Sequence, residues 1–357
     1  MNCSIMEKII DPIDISLIKA ELTPDKKLCD TNKADNEIYV IDCYDSPNVL
    51  KEIGRLREIA FRATGGCSGL SCDLDEFDTM EKPYKQIIIW DPQAEAIIGG
   101  YRYILGSDVQ IKEDGQPHLA TSHMFHFSEK FIKDYLPHVV ELGRSFVTPE
   151  YQSSKAGAKA IFALDNLWDG IGAVMMQHPG VHYFFGKMTL FLNWDKSCRD
   201  LLLHFMEKYF ADKDELVRPY NPVDQVVPSN ILSLILDGDD FKSDYRKFKD
   251  AVRRLGSSIP PLVNSYINIS PTLKLLGCAV NDEFLNAEEV GILVCFNEMY
   301  ADKRDRHKEP YMKQFLDKVR GRFPHLSDNQ REKVAMRSEE KNVRLFFKFK
   351  QKIKNKK

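Results

Sequence analysis

The stretch from residue 85 to residue 105 limits the possible folds most. KQIIIW (85–90) and AIIGGYRYIL (96–105) are two apolar, β-branched runs separated by a short polar turn that begins Asp91-Pro92. Runs of this kind are buried strands, and so short a connection makes them an antiparallel hairpin. The chain must therefore bury a sheet and cover it. Its 357 residues suffice for a well-buried core.

The flanking segments supply the rest of that sheet and its cover. Residues 36–43 (NEIYVIDC) alternate and read as a strand. Asp45, Ser46 and Pro47 are helix-start chemistry, and Val49, Leu50, Ile53, Leu56, Ile59 and Ala60 recur at helical spacing up to Gly65-Gly66. Residues 67–84 read as a polar, acidic loop, 129–135 as a short helix and 139–147 (VVELGRSFV) as a strand ended by Pro149. A helix is expected over 159–176, a short strand over 182–185 and a charged helical insertion over about 195–255. Pro260-Pro261 starts a further helix to about 268, and strands follow at 275–280 and 290–296. The expected fold class is α/β (α+β), with a mixed, mostly antiparallel sheet flanked by helices. Residues 1–36 read as a polar arm, 37–300 as the main domain, and 301–357 as a charged helical extension with a basic tail, KFKQKIKNKK.

Composition excludes several classes. A net charge of -3 lacks the basic excess of a dedicated nucleic-acid binder. No apolar run approaches the ~20 residues that cross a bilayer. The N-terminus, MNCSIMEKIIDPID, carries acids where a signal peptide needs an apolar stretch, so no export is expected and the reading is cytoplasmic. The eight cysteines read as reduced thiols. Cys67 and Cys72 lack a second pair nearby, and His118, His123 and His126 read as loop histidines, so no metal site is expected. The basic tail, with Phe346, Phe347 and Phe349 among its lysines, suits peripheral contact with the anionic face of the inner membrane.

Three segments place charge inside or beside apolar strands: DLDEFD (73–78), GGYRY (99–103) and ELGRSFV (141–147). Burying such charge is costly unless it is paired, so Glu141, Arg144, Arg102 and Asp78 form either a structural ion network or a site for a carboxylated or carbonyl substrate. Strict alternation along 141–147 turns Glu141, Gly143, Ser145 and Val147 one way and Leu142, Arg144 and Phe146 the other. Directly after it, Gln152, Ser153, Ser154, Lys155, Ala156, Gly157 and Ala158 form a polar loop entering a helix. Free N–H groups there suit phosphate.

These residues resemble a known family. DEFD, then G-x-YR, then E-x-GRS-x-V are similar to the pattern of N-acyl-homoserine-lactone synthases and ornithine N-acyltransferases of the GNAT superfamily. ELGRSFV-x-PEYQ, ALDNLWDGI, HYFFG and IPPLVNSYINIS resemble most the ornithine-lipid enzymes and the hemolysin-like glycine N-acyltransferases of Bacteroides-type bacteria. The resemblance covers roughly 37–300. It implies a GNAT fold and transfer of a long-chain, sometimes 3-hydroxylated, acyl group from acyl carrier protein to glycine or ornithine, in acyl-amino-acid lipid synthesis. The co-substrate is an acyl-phosphopantetheine, and no permanently bound cofactor or metal is implied. Gln152 stands without the full Arg/Gln-x-x-Gly-x-Gly/Ala spacing of acetyl-CoA enzymes, which favours the carrier protein over acyl-CoA. The site reading takes Glu141 as base with Asp78 second. Arg102 and Arg144 hold the acceptor carboxylate or order the acidic loop, and backbone N–H groups near Phe146 and Val147 stabilise the oxyanion. The alternatives are a non-catalytic acyl- or carrier-protein-binding module, and an acyl-homoserine-lactone-type synthase.

Overall fold

The computed structural model describes residues 6–152, 158–178 and 180–336. Its centre is an eight-stranded sheet. The first half comprises α1 (Ile15–Glu21), β1 (Lys27–Asp30), β2 (Glu37–Ile41), α2 (Pro47–Thr64), α3 (Glu76–Thr79), β3 (Lys85–Asp91), β4 (Ala96–Leu105), β5 (Phe125–Phe127) and β6 (Val139–Val147). Then come α4 (Ala158–Gln177), β7 (Tyr183–Leu190), α5 (Lys196–Phe210), β8 (Val217–Pro219), α6 (Ser229–Ile235), α7 (Phe241–Arg254) and α8 (Pro261–Ile267). The hairpin of β9 (Lys274–Asn281) and β10 (Ala287–Cys295), followed by α9 (Ala301–Arg306), α10 (Glu309–Arg322) and α11 (Asp328–Met336), completes the described chain.

The sheet order is β1-β2-β3-β4-β6-β7-β10-β9, and β5 and β8 form a separate ribbon. Every pair in the large sheet is antiparallel except β6 with β7. That parallel pair needs a crossover, and α4 supplies it. The α4 face of the sheet carries the largest core, with Ile87, Ile89, Tyr101, Leu142, Leu167, Trp168 and Phe184. The opposite face carries two smaller cores. One sets Ile88, Trp90 and Phe146 against Leu50 and Ile53 of α2. The other sets Tyr84, Phe131 and Phe185 under the 109–136 loop.

Several elements depart from the sequence reading. The first 36 residues contribute α1 and β1, whose four residues add an edge strand on β2. The strand expected at 182–185 runs on to Leu190, because its polar residues Lys187 and Thr189 reach the buried Glu289 of β10. The acidic loop includes the turn α3, and the 195–255 segment includes β8. The helix expected at 129–135 is one wide turn, Phe131–Tyr135. Helix α2 follows its signals: Pro47 stands in its first turn, and Gly65 ends it at φ 88, a left-handed conformation that glycine adopts without penalty.

The alternation expected along β6 is also corrected. Arg144 has φ 47, and the register with β4 slips between Gly100 and Arg102. Two residues of β6 thus oppose one of β4, a β-bulge. Beyond it the facing inverts. Phe146 lies in the α2 core, and Val147 packs against the α4 core. Gly99 lets β4 pass close under this bulge, for a Cβ there would lie 2.4 Å from the Phe146 carbonyl oxygen. Gly99→Val is therefore expected to destabilise the fold by at least the ~1–3 kcal/mol of an overpacked core. A urea melt with an unchanged midpoint would contradict this close approach.

Candidate active site

The bulge sets the geometry of the site. β6 and β7 pair from Val139↔Tyr183 to Leu142↔Gly186 and no further, although both strands continue. Past that point they diverge, and a wedge opens through the sheet. It leads into a cavity of about 600 Å³. Leu142–Val147 and Phe184–Thr189 form its edges, and Tyr101, Leu164, Trp168 and Tyr266 line the α4 side. Phe61, Phe191 and Phe284 line the α2 side. Backbone groups at the diverging edges have lost their ladder partners, so they are free to bond an extended, amide-bearing ligand. The apolar walls suit an acyl chain.

Beside the wedge lies a buried ion network. Arg57 of α2 donates to both carboxylate oxygens of Asp78, at 3.1 and 3.3 Å, and lies 3.8 Å from Asp73. Arg102 Nη1 donates to both oxygens of Asp75 at 2.7 Å and to Asp78 at 3.3 Å. Arg144 Nη2 lies 3.4 Å from both Asp73 and Asp75. Three guanidiniums thus meet three carboxylates. Burial pushes the Asp75 carboxyl up, and Arg102, Arg144 and Arg57 outweigh it, holding the group well below the usual carboxylate range. Burial acts against the charge of Arg102, and Asp78 and Asp75 hold it firmly protonated. A capping box between Asp75 and Asp78 fixes α3, so the network also orders the acidic loop.

Glu141 lies next to this network on the acidic-loop side of β6. Tyr84 donates its hydroxyl to one carboxylate oxygen, and Thr121 Oγ1 donates to the other at 2.7 Å. Burial pushes the Glu141 carboxyl up, against these hydrogen bonds and the nearby Arg102 and Lys187. Arg102 stands 5.2 Å above the Tyr84 ring and so joins Glu141 to the carboxylates of the loop.

Of the residues singled out by sequence, Arg144, Phe146, Val147 and Gln152 line the cavity. Asp78, Arg102 and Glu141 are buried behind it. Gln152 donates to the Val147 carbonyl at 2.6 Å. Ser153, Ser154, Lys155, Ala156 and Gly157 of the phosphate-loop reading, and the basic tail from 337 on, lie outside the described residues. Ala158 opens α4. The three loop histidines take separate partners: His118 lies by Glu76, His123 by Asn281 and His126 by Tyr220.

The sequence reading missed Arg57, Tyr84 and Lys187. Arg57 had a signal, since it falls on the apolar stripe of α2 with Leu50, Ile53 and Ala60, where a charge needs a buried partner. Lys187 sits in β7 beyond the 182–185 stretch that reads as a strand. Burial pushes its pKa down, against the pull of Glu289.

A family model described as an acetyltransferase (GNAT) domain matches residues 56–160, from α2 to the start of α4. The fold is that of a GNAT-type acyltransferase. The chain is 55% identical over 309 residues to a glycine N(alpha)-acyltransferase of Phocaeicola vulgatus, covering 87% of this chain and 95% of that protein. It is 53% identical over 315 residues to a protein of the same name from Bacteroides thetaiotaomicron, covering 88% and 94%. A solved CoA-dependent acyl-homoserine lactone synthase, with SAM and isopentyl-CoA, is 12% identical, at a TM-score of 0.33 over 77% of this chain and 89% of that one. The chain belongs to the family of the two glycine N(alpha)-acyltransferases, and it is an acyltransferase.

Proposed function

We propose that this chain moves a long-chain acyl group, the 3-hydroxy form included, from acyl carrier protein to the amine of glycine, and so makes an acyl-amino-acid lipid. The observation that carries the reading is the apolar cavity opening from the wedge between β6 and β7. The names of the two relatives support glycine as acceptor, with ornithine the alternative.

The reaction is direct transfer. The neutral amine attacks the thioester carbonyl, a C–N bond forms, the C–S bond breaks, and the pantetheine thiol leaves with a proton. Glu141 takes the one proton the amine loses, through a bridging water, and that proton passes to the departing sulfur; Asp78 is the second candidate. Backbone N–H groups near Phe146 and Val147 hold the developing oxyanion. Arg102 orders the acidic loop through Asp75 and Asp78. The loop from Gln152 to Ala158 receives the pantetheine phosphate at the start of α4. A thioester is already activated, so the step needs no metal. Among the described residues no helix is long and apolar enough to cross a membrane, and contact through the basic tail would be peripheral.

The test incubates the protein with acyl carrier protein or CoA thioesters and with glycine or ornithine, following thiol release and product mass. Glycine-dependent release is expected, faster from the carrier protein and slowed by salt, because that acidic partner docks through screened charges. Binding without amine-dependent release would leave a non-catalytic acyl-binding module. Equal use of acyl-CoA would remove the carrier protein as preferred donor.

A further inference from the structure

Among the described residues that line the cavity, two carry a formal charge, and both are cations: Arg144 and Lys187. They stand where the strands part. Lys187 follows Gly186 directly, and Arg144 is two residues past Leu142, its pairing partner. Both approach the ring of Phe284, its centroid 5.3 Å from the Arg144 guanidinium carbon and 5.9 Å from Lys187 Nζ.

Among the described residues, neither cation is saturated. The Lys187 ammonium has three donors, and Glu289 is its carboxylate partner. Glu289 is itself held by Thr189 at 2.8 Å and Asn281 at 3.3 Å, so the lysine is anchored in place. Among the described residues, the carboxylate contacts of Arg144, to Asp73 and Asp75, are long, and its Nε is buried with no hydrogen-bond partner. Two cations on an otherwise uncharged lining match an anionic group on the ligand. The α2 side of this place is narrow. Phe61 meets Phe284 edge-on at 5.5 Å, and a Cβ on Gly66 would lie 2.8 Å from ring carbons of both Phe191 and Phe284.

We infer that Arg144 and Lys187, beside the ring of Phe284, bind the carboxylate of the acceptor amino acid. One carbon separates the carboxylate of glycine from its amine. A carboxylate held at the vertex of the wedge therefore delivers the amine to a thioester lying in it. The wall of Phe61, Phe191 and Phe284 favours an acceptor with no side chain. This inference rests on the reading that the acceptor is an amino acid.

The test compares glycine with glycinamide, which keeps the amine and lacks the carboxylate. In the variant Lys187→Met/Glu289→Gln, which leaves no buried acid unpaired, the kcat/KM ratio of glycine over glycinamide is expected to fall about 10- to 100-fold, the scale of one lost hydrogen bond to a charged group. The change should appear as a raised KM for glycine. Lys187→Arg should retain most of the ratio. Lys187→Gln, which keeps a donor for Glu289, gives the same comparison if the double variant does not fold. A parallel loss on both amines, with the ratio unchanged, would make Lys187 merely structural and overturn the inference. Absence of transfer to any amino acid by the unmodified protein would overturn the acyltransfer reading with it, whereas transfer to glycine with an unchanged ratio in the variants overturns the carboxylate site alone.

Discussion

Arg57→Leu is expected to cost about 3–5 kcal/mol of stability, the range for breaking a buried ion pair from one side. A domain commonly has ~5–15 kcal/mol in total, so the variant should melt far earlier or fail to accumulate. The reason is a charge count. Arg57, Arg102 and Arg144 balance Asp73, Asp75 and Asp78, and removing one guanidinium leaves a net negative charge in the interior. Arg57 and Asp78 are both fully buried, so water offers little relief. Adding Asp78→Asn to Arg57→Leu should recover much of the loss, because it removes the charge that lost its partner. Thermal melts of the two variants check this. A small effect of Arg57→Leu, or no recovery in the pair, would show that the six groups do not act as one balanced cluster.

Glu141→Gln is expected to lower acyl transfer by ~10²–10⁴-fold, the usual contribution of a general base. The change keeps the side chain's shape and removes its charge. The folded protein should persist, since the surrounding aromatic core of Phe127, Phe131 and Phe185 is untouched. Tyr84 and Thr121 now donate to both carboxylate oxygens, and an amide accepts only on its oxygen, so one of them must turn. Steady-state kinetics, paired with a melting curve, separates lost chemistry from lost fold. Full activity across pH would pass the proton to Asp78 or to water.

The elements that read most clearly were those whose side chains obey one periodicity. β3 and β4 are apolar runs around a short turn, and α2 carries both its start and its stop. β1 escaped notice because four residues, KLCD, are too few to show alternation. β7 looked short because its second half carries Lys187 and Thr189, polar residues that only the distant Glu289 makes sense of. The bulge at Arg144, at φ 47, left no local trace, and the Asp73 and Asp75 that its side chain meets lie about 70 positions earlier. The sequence did single out Asp78, Arg102, Glu141 and Arg144 as charges beside strands, and the structure gathers them around one wedge. It did not separate those that line the cavity from those buried behind it. That division depends on where β6 and β7 part, a tertiary fact. Arg57 was within reach, since a lone arginine on an apolar helix stripe implies a buried acid.

The proposed reaction requires the acyl thioester to lie in the wedge between β6 and β7. Photo-crosslinking with an acyl-pantetheine that carries a diazirine on its acyl chain, followed by peptide mass spectrometry, locates it. Labels on residues 142–147 and 184–189, and on Trp168 or Tyr266 of the cavity wall, are the expected result. Labels confined to the groove between α7 and Ser257–Ile259, with none on either strand, would contradict it.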